Sequence, residues 1–508
     1  MLENSRDKLQ TDWFMFIATI CSILLLCIPT VLFREQAAEF ITEAYDSLTS
    51  NFGFLYLWYG LIALIFLIWL SRSRFGNIIL GEKNSSPEFK TLSWIGMLFC
   101  AGVGAGLLYW AVLEWGYYLE SPPYNFEPKS SQAAEWSTAY GLFHWGPSAW
   151  AIYCLPTIAI AYPYYVRKVP YLRLSTSVMK FLPNGINSTR GRLVDFLFMI
   201  NLIGGTGTSL GLSSPMIAGG FARLFKVEHN FVLEVYVVVI SILIFGTSAF
   251  LGLKKGFKKL ADFNVYLAFA LLFFVLAVGP TIFILKVGTN SIGLMLQNFI
   301  RMSLWTDPIT NSGFVENWTV FYWAWWVAYA PFVGIFVTRI SRGRSIKQVI
   351  SGMLIFGSLG AWLFFIVFGN YSLHLELNDL LNMTEIMKQG SREAAGAISD
   401  SLLTLPFGEI ALIIFVIVSI IFLATTYDSA SYTLASVSSR NLEAGANPAR
   451  WNRLFWALAL GVLPICLLFA DGGLKVILST TIIVSLPLLV VGLLMGLSLM
   501  KMLKEDTK

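Results

Sequence analysis

The residues from Trp13 to Phe33 run for 21 positions without a charge. A bilayer core of about 30 Å takes about 20 apolar residues in helix. The stretch is also longer than the apolar core of about 7–15 residues in a signal peptide, so it reads as a retained span. Eleven further stretches of this kind centre near 52–70, 92–119, 139–165, 195–221, 232–252, 262–285, 317–338, 350–371, 407–436, 454–470 and 477–499. Of the 508 residues, 56% are hydrophobic and 13% charged. A soluble domain carries about 25% charge, so a soluble enzyme, a disordered scaffold and a nucleic-acid-binding module are excluded. The expected fold class is an all-α membrane protein with twelve transmembrane helices.

The loop charges test this count independently. If both termini are cytoplasmic, every even-numbered loop is basic. The second holds Arg72, Arg74, Lys83 and Lys90, the sixth Lys254, Lys255, Lys258 and Lys259, the eighth Arg339, Arg342, Arg344 and Lys347. That alternation is what the positive-inside rule requires, and a missed span would break it. Both tails are short, and no attached soluble domain is expected. The stretch Gly288 to Ser303 reads equally as an interfacial helix or as an ordered loop. The five cysteines, Cys21, Cys27, Cys100, Cys154 and Cys466, lie in apolar stretches without CxxC spacing. Neither a disulfide framework nor a zinc site is expected.

Several residues are costly in lipid and therefore informative. Span 3 carries Gly102, Gly104 and Gly106 at every second position. Glycines at this density weaken a helix. Close helix packing explains them; so does an unwound segment facing a cavity, the setting in which irregular backbone is tolerated at membrane depth. Span 8 packs Trp318, Trp323, Trp325 and Trp326 into nine residues, followed by Tyr329 and Pro331. An interfacial belt is one reading. The central position favours the other, an aromatic box for a quaternary ammonium group, whose spread charge rests on ring faces. Trp145, Trp150 and Tyr153 of span 4 line the same cavity or fill the core. In span 10, Thr425, Thr426 and Asp428 interrupt an apolar run. Threonine hydroxyls bond to backbone inside helices, whereas an intramembrane Asp is a functional candidate by default. Glu114 in span 3 is another such candidate, or else an acid solvated near the outer end of the span. His144 is expected to be a core histidine, because no HExxH or clustered ligand spacing accompanies it.

The run WTVFYWAWW from Trp318 to Trp326, with RISRGRS from Arg339 to Ser345, resembles the betaine/choline/carnitine transporter (BCCT) family. FHWGPSAW in span 4, GTSLGL from Gly207 to Leu212, the glycine segment and the span count agree with it. The resemblance implies a LeuT-type fold with two inverted five-helix repeats, spans 3–7 and 8–12. The corresponding segments are 1–90 (tail and spans 1–2), 91–287 (first repeat), 288–315 (connecting interfacial segment), 316–502 (second repeat) and 503–508 (cytoplasmic tail). It further implies a bacterial inner-membrane location, homotrimers and a substrate cage of Trp325, Trp326 and Tyr329 with Trp323 close by. Trp145, Trp150 and Tyr153 match pathway residues, Tyr117 and Glu114 resemble the carnitine/butyrobetaine exchangers on the substrate side, and Gly104 and Gly106 let backbone approach a substrate carboxylate. Choline carriers tend to have Asp where Gly106 stands. The expected substrate is therefore a zwitterion: glycine betaine, carnitine or a related compound.

By the same resemblance, sodium would be held by Thr425 and Thr426 hydroxyls and the carbonyls of Cys100, Val103 and Phe422. A second sodium site is degraded, since Leu202 stands where a hydroxyl is expected beside Thr206. Lys258 lies at or near the position where sodium-independent members carry an ion-replacing Arg. It also fits the cytoplasmic cluster of lysines, and Val333 stands where the exchangers place Met. Sodium symport is the expected coupling; exchange or proton coupling through Lys258 is the alternative. No cofactor is expected beyond Na+ as the coupling ion. No Walker-type motif is present to use ATP, and no metal or nucleophile constellation supports an enzyme. A solute channel or a receptor on the same fold is the rival of another class.

Overall fold

In the computed structural model, residues 11–82, 85–102, 104–251, 254–440, 442–443, 446–469 and 473–507 are described, by backbone alone at 99–102, 245, 248–251, 254–259, 473–478 and 480. The protein is all-helical over these residues, apart from isolated bridges at Thr11–Ser439 and Ile79–Ser345. Spans 1 and 2 are Trp13–Leu32 and Arg34–Arg72. Span 3 is split into Thr91–Gly102 and Ala105–Glu120, and span 4 into Ser131–His144 and Pro147–Tyr165. Spans 5, 6 and 7 are Thr189–Phe225, Phe231–Leu251 and Lys254–Val278. Span 8 opens with a π-turn at Val315–Val320 and continues as Phe321–Ile340. Span 9 runs over Ile346–Leu377 through two π-turns, and spans 10, 11 and 12 are Gly408–Val437, Arg450–Phe469 and Gly473–Asp506. Among the described residues, nine helices are long and apolar enough to cross a membrane. Spans 3 and 4 fall short of that test because they are broken, and in span 6 the described apolar run is Phe231–Ile244.

The two breaks have local causes. Gly104 is extended (φ −137°, ψ 178°) and starts a new helix at Ala105. At Trp145 and Gly146 the chain leaves helical geometry, and Pro147 restarts it. Proline suits a first helical turn because its missing N–H would be unpaired there anyway. The apolar run of span 4 had suggested one continuous helix. Span 10 departs the other way: the polar stretch Ala424 to Ser429 does not interrupt the helix. Thr425 and Thr426 turn their hydroxyls onto the carbonyl of Phe422, at 3.0 and 2.9 Å, and so carry their polarity within the helix.

The stretch between spans 7 and 8 is a helix, Thr281–Leu304. It packs on the first half of span 4 and on span 2 while exposing Ile282, Leu285, Leu296 and Ile300. Within the bundle, span 8 lies against the second half of span 4, and span 3 against span 9. Span 5 packs on spans 10, 11 and 12, and span 10 on spans 5, 6 and 7.

The RISRGRS turn is stitched to the loop between spans 2 and 3. Gly343 N donates to Leu80 O (2.7 Å), Leu80 N to Arg344 O (2.8 Å) and Ile346 N to Ile78 O (2.9 Å). The Arg344 guanidinium sits 4.0 Å over Trp94. Gly343 has φ +79°, and a Cβ there would lie 2.1 Å from Ser86 O. Left-handed backbone alone costs a non-glycine residue about 1–2 kcal/mol. Gly343→Ala is therefore expected to lower both the thermal unfolding temperature and the yield of detergent-stable protein. An unchanged unfolding curve would show that the stitched turn gives way freely.

Candidate substrate site

A cavity of about 1120 Å³ opens between spans 3, 4, 5, 7, 8 and 10. Its mouth lies among Glu82, Glu88, Lys168, Arg339 and Arg342, on the face carrying the basic loops. Its deep end is lined by Gly104 to Leu107, Trp145, Tyr153, Ser209, Trp325, Trp326 and Tyr329. Toward the opposite face the way is packed with rings. Trp318 lies 4.9 Å from Tyr118, 5.2 Å from Tyr117 and 5.7 Å from Trp110.

The aromatic wall follows from helical geometry. Trp325 and Trp326 are neighbours about 100° apart on span 8, and their indoles stack at 5.1 Å and 13°. Tyr329, one turn on, meets Trp325 edge-on at 6.3 Å. Trp145, released from the helix by the break in span 4, stands edge-on to Trp326 at 4.7 Å and 73°. Tyr153 closes the set at 5.6 Å from Trp326. Glycines make room for these rings. A Cβ on Gly106 would lie 3.2 Å from the Trp325 indole, and one on Gly205 would lie 2.9 Å from Tyr329. The Tyr329 hydroxyl pairs with Ser209 Oγ at 3.0 Å. Trp325 Nε1 is buried without a hydrogen-bond partner among the described residues.

The structure does not bring Trp323, Trp150 or Tyr117 to the cavity. Trp323 is about 200° round the helix from Trp325, and its indole lies against Gly60 of span 2. Trp150 covers Gly357 and so packs span 4 on span 9. Tyr117 is eleven residues beyond Gly106, about 16 Å along the helix, within the ring packing around Trp318.

Of the residues proposed for an ion, Phe422, Thr425 and Thr426 line the cavity. Thr426 Oγ1 stands 3.8 Å from the Cβ position of Gly104, so this hydroxyl faces the break in span 3. Val103 and the side chains of Cys100 and Lys258 lie outside the described residues. Thr206 bonds back to Leu202 O at 2.6 Å, beneath the Tyr427 hydroxyl that donates to Thr206 O. Asp428, also on the cavity wall, accepts from Arg453 at 3.3 Å.

Glu114 is not solvated at the end of span 3; it is fully buried, with three donors on its carboxyl group, Tyr118, Trp145 and Tyr322, and His144 Nδ1 3.4 Å away. His144 is a core residue, fully buried, with Nε2 3.0 Å from Thr319 Oγ1. Sequence reasoning passed over Ser209, although it lies within the GTSLGL motif, and Asp262, which lines the mouth from span 7.

A family model described as "BCCT, betaine/carnitine/choline family transporter" matches residues 14–508. The chain belongs to the BCCT family. It is thus a multi-pass membrane transporter, in a family of carriers rather than enzymes. The BCCT chain is 35% identical to a "Carnitine transporter" of Acinetobacter baumannii over 507 residues, 99% of this chain and 91% of that one. It is 40% identical to the "Uncharacterized transporter YeaV" of Escherichia coli over 446 residues, 88% of this chain and 92% of that one. A solved Na+-coupled sialic acid symporter matches 82% of this chain and 80% of its own at 13% identity and a TM-score of 0.36, too low to carry an argument.

Proposed function

We propose that this BCCT transporter carries a trimethylammonium zwitterion, glycine betaine or carnitine, by alternating access, and that it does so as a sodium symporter. The carrying observation is the pairing of two complementary surfaces in one cavity. Trp145, Tyr153, Trp325, Trp326 and Tyr329 offer aromatic walls. A desolvated cation on such faces gains up to about 2 kcal/mol or more. Beside them, Gly104 to Leu107 form the start of the second half of span 3. A helix start presents free N–H groups and the positive end of a dipole, which suits a carboxylate. The buried Trp325 N–H is a further donor. A substrate with a hydrogen-bonding ammonium head would leave its own N–H groups unpaired against carbon rings.

The Thr425 and Thr426 hydroxyls meet on the Phe422 carbonyl within 3.0 Å, and Thr426 stands beside the break in span 3. Oxygen donors suit a hard cation, and carbonyls freed by an unwound segment complete such sites in transporters. The packing supports two inverted repeats. Exchanging spans 3 to 7 for spans 8 to 12 turns the 4–8 contact into 9–3, the 5–12 contact into 10–7, and the 5–11 contact into 10–6. By the positive-inside rule the basic loops, and with them the cavity mouth, are read as cytoplasmic; on that reading the form described is open inward.

The test is uptake of radiolabelled glycine betaine and carnitine into proteoliposomes under an imposed sodium gradient, a proton gradient, or internal substrate alone. Saturable accumulation driven by sodium is the expected result. Uptake that needs only internal substrate would replace symport with exchange. Non-saturating uptake without counterflow would make the protein a channel.

A further inference from the structure

Glu114 lies behind the aromatic wall and touches it through Trp145, without itself lining the cavity. Its Oε2 accepts from Trp145 Nε1 at 3.0 Å and from the Tyr322 hydroxyl. Its Oε1 accepts from the Tyr118 hydroxyl at 2.7 Å and lies 3.4 Å from His144 Nδ1. With its proton on Nδ1, His144 donates to the Tyr118 oxygen at 2.9 Å and accepts at Nε2 from Thr319. The backbone carbonyl of His144 in turn accepts from Trp326 Nε1 at 3.0 Å. Tyr322 stacks on Trp326 at 5.6 Å and 27°. Trp145 and Tyr322 are thus both held by one buried carboxyl group, and Trp326 is held beside them by the His144 carbonyl.

A buried carboxyl is costly, and an apolar residue would serve as well for helix packing alone. What an apolar residue cannot do is accept from Trp145, whose indole N–H is donor only. We infer that Glu114 is a positioning residue for substrate recognition, holding Trp145 and Tyr322 so that the aromatic wall presents its faces to the ammonium group. This rests on the cage reading of the cavity, so the test has one arm that needs no substrate.

In the first arm, protein labelled with fluorotryptophan is examined by fluorine NMR, with the Trp145 resonance assigned by Trp145→Phe. Glu114→Ala is expected to shift or broaden that resonance. Glu114→Gln keeps it in place, because one amide orientation still offers an oxygen to Trp145 and Tyr322. In the second arm, Glu114→Ala is expected to raise KM for glycine betaine about tenfold, the loss of one buried hydrogen bond, with Vmax changed less. Glu114→Gln is expected to restore KM to near the parent value. A purely structural role would lower the amount of protein and Vmax and leave KM alone. If Glu114→Ala does not accumulate, Tyr322→Phe removes one donor outside the cavity and keeps the ring. It is expected to raise KM and move the Trp145 resonance in the same sense. A Trp145 resonance and a KM both unmoved in the variant that folds overturn the inference. If the parent protein takes up no betaine, the substrate reading falls, and the fluorine arm alone decides the role of Glu114.

Discussion

Trp326→Ala is expected to weaken glycine betaine binding by roughly 30-fold, the equivalent of about 2 kcal/mol for a desolvated cation–π contact. Trp326 is the ring on which the others converge. Trp325 stacks on it, and Trp145 and Tyr153 stand edge-on to it. Its removal takes away a face and also releases three neighbours. Trp326→Phe keeps a face and is expected to lose less. Trp323→Ala is the matched control from the same helix, since its indole lies against Gly60 of span 2 and not in the cavity. It is expected to lower stability without a selective loss of affinity. Equal affinity losses in Trp326→Ala and Trp323→Ala, measured by substrate-induced tryptophan fluorescence or isothermal titration, would place the ammonium group elsewhere.

The second large effect is expected at Thr426. Its hydroxyl shares the Phe422 carbonyl with that of Thr425 and lies 3.8 Å from the Cβ position of Gly104, at the break in span 3. Removing one oxygen from a sparse set around a hard cation weakens the site more than removing one from a full set. Thr426→Ala is expected to raise the sodium concentration for half-maximal uptake at least tenfold, by the 1.4 kcal/mol per decade relation and a lost charge-assisted contact of about that size. Saturating sodium is expected to recover most of the uptake rate. Thr426→Ser keeps the oxygen and is expected to stay close to the parent. Sodium activation unchanged in Thr426→Ala would show that the two threonines serve only their own helix. That outcome would bring the alternative role of Lys258 to the front.

Much of this architecture was legible because lipid imposes a simple rule. Runs near 20 apolar residues and a basic charge in every second loop leave little choice about where helices begin and end. The break at Gly104 was legible too, since three alternate glycines cannot make a good helix. The break in span 4 was signalled by the Gly146-Pro147 dipeptide but went unread, because it lies within a long and otherwise largely apolar span. In span 10 the error ran the other way. Two threonines and an acid look like an interruption, yet hydroxyls that bond to their own helix and an Asp paired with Arg453 cost a helix little.

At the site, sequence spacing found residues but not faces. Trp325, Trp326 and Tyr329 share the cavity because one step and one turn of helix keep them together. Trp323 belongs to the same tryptophan run but points away by simple rotation. The surroundings of Glu114 were illegible for a different reason. Position along a helix gives depth only roughly, and beside Tyr118 of its own helix the groups that bury it come from two segments far off in sequence, His144 with Trp145, and Tyr322. Long-range contacts of that kind are set by packing and leave no local signal.

The central claim is that the cavity recognises a methylated ammonium group through aromatic faces and the opposite end of the same molecule through a helix start. It is tested most directly by competition between glycine betaine and its less methylated relatives, dimethylglycine, sarcosine and glycine, for binding to the purified transporter. The carboxylate is constant across this series, and only the ammonium end changes. Affinity is expected to fall with each methyl removed, to be negligible for glycine, and to lose that gradation in Trp326→Ala. Glycine competing as well as glycine betaine would contradict the account.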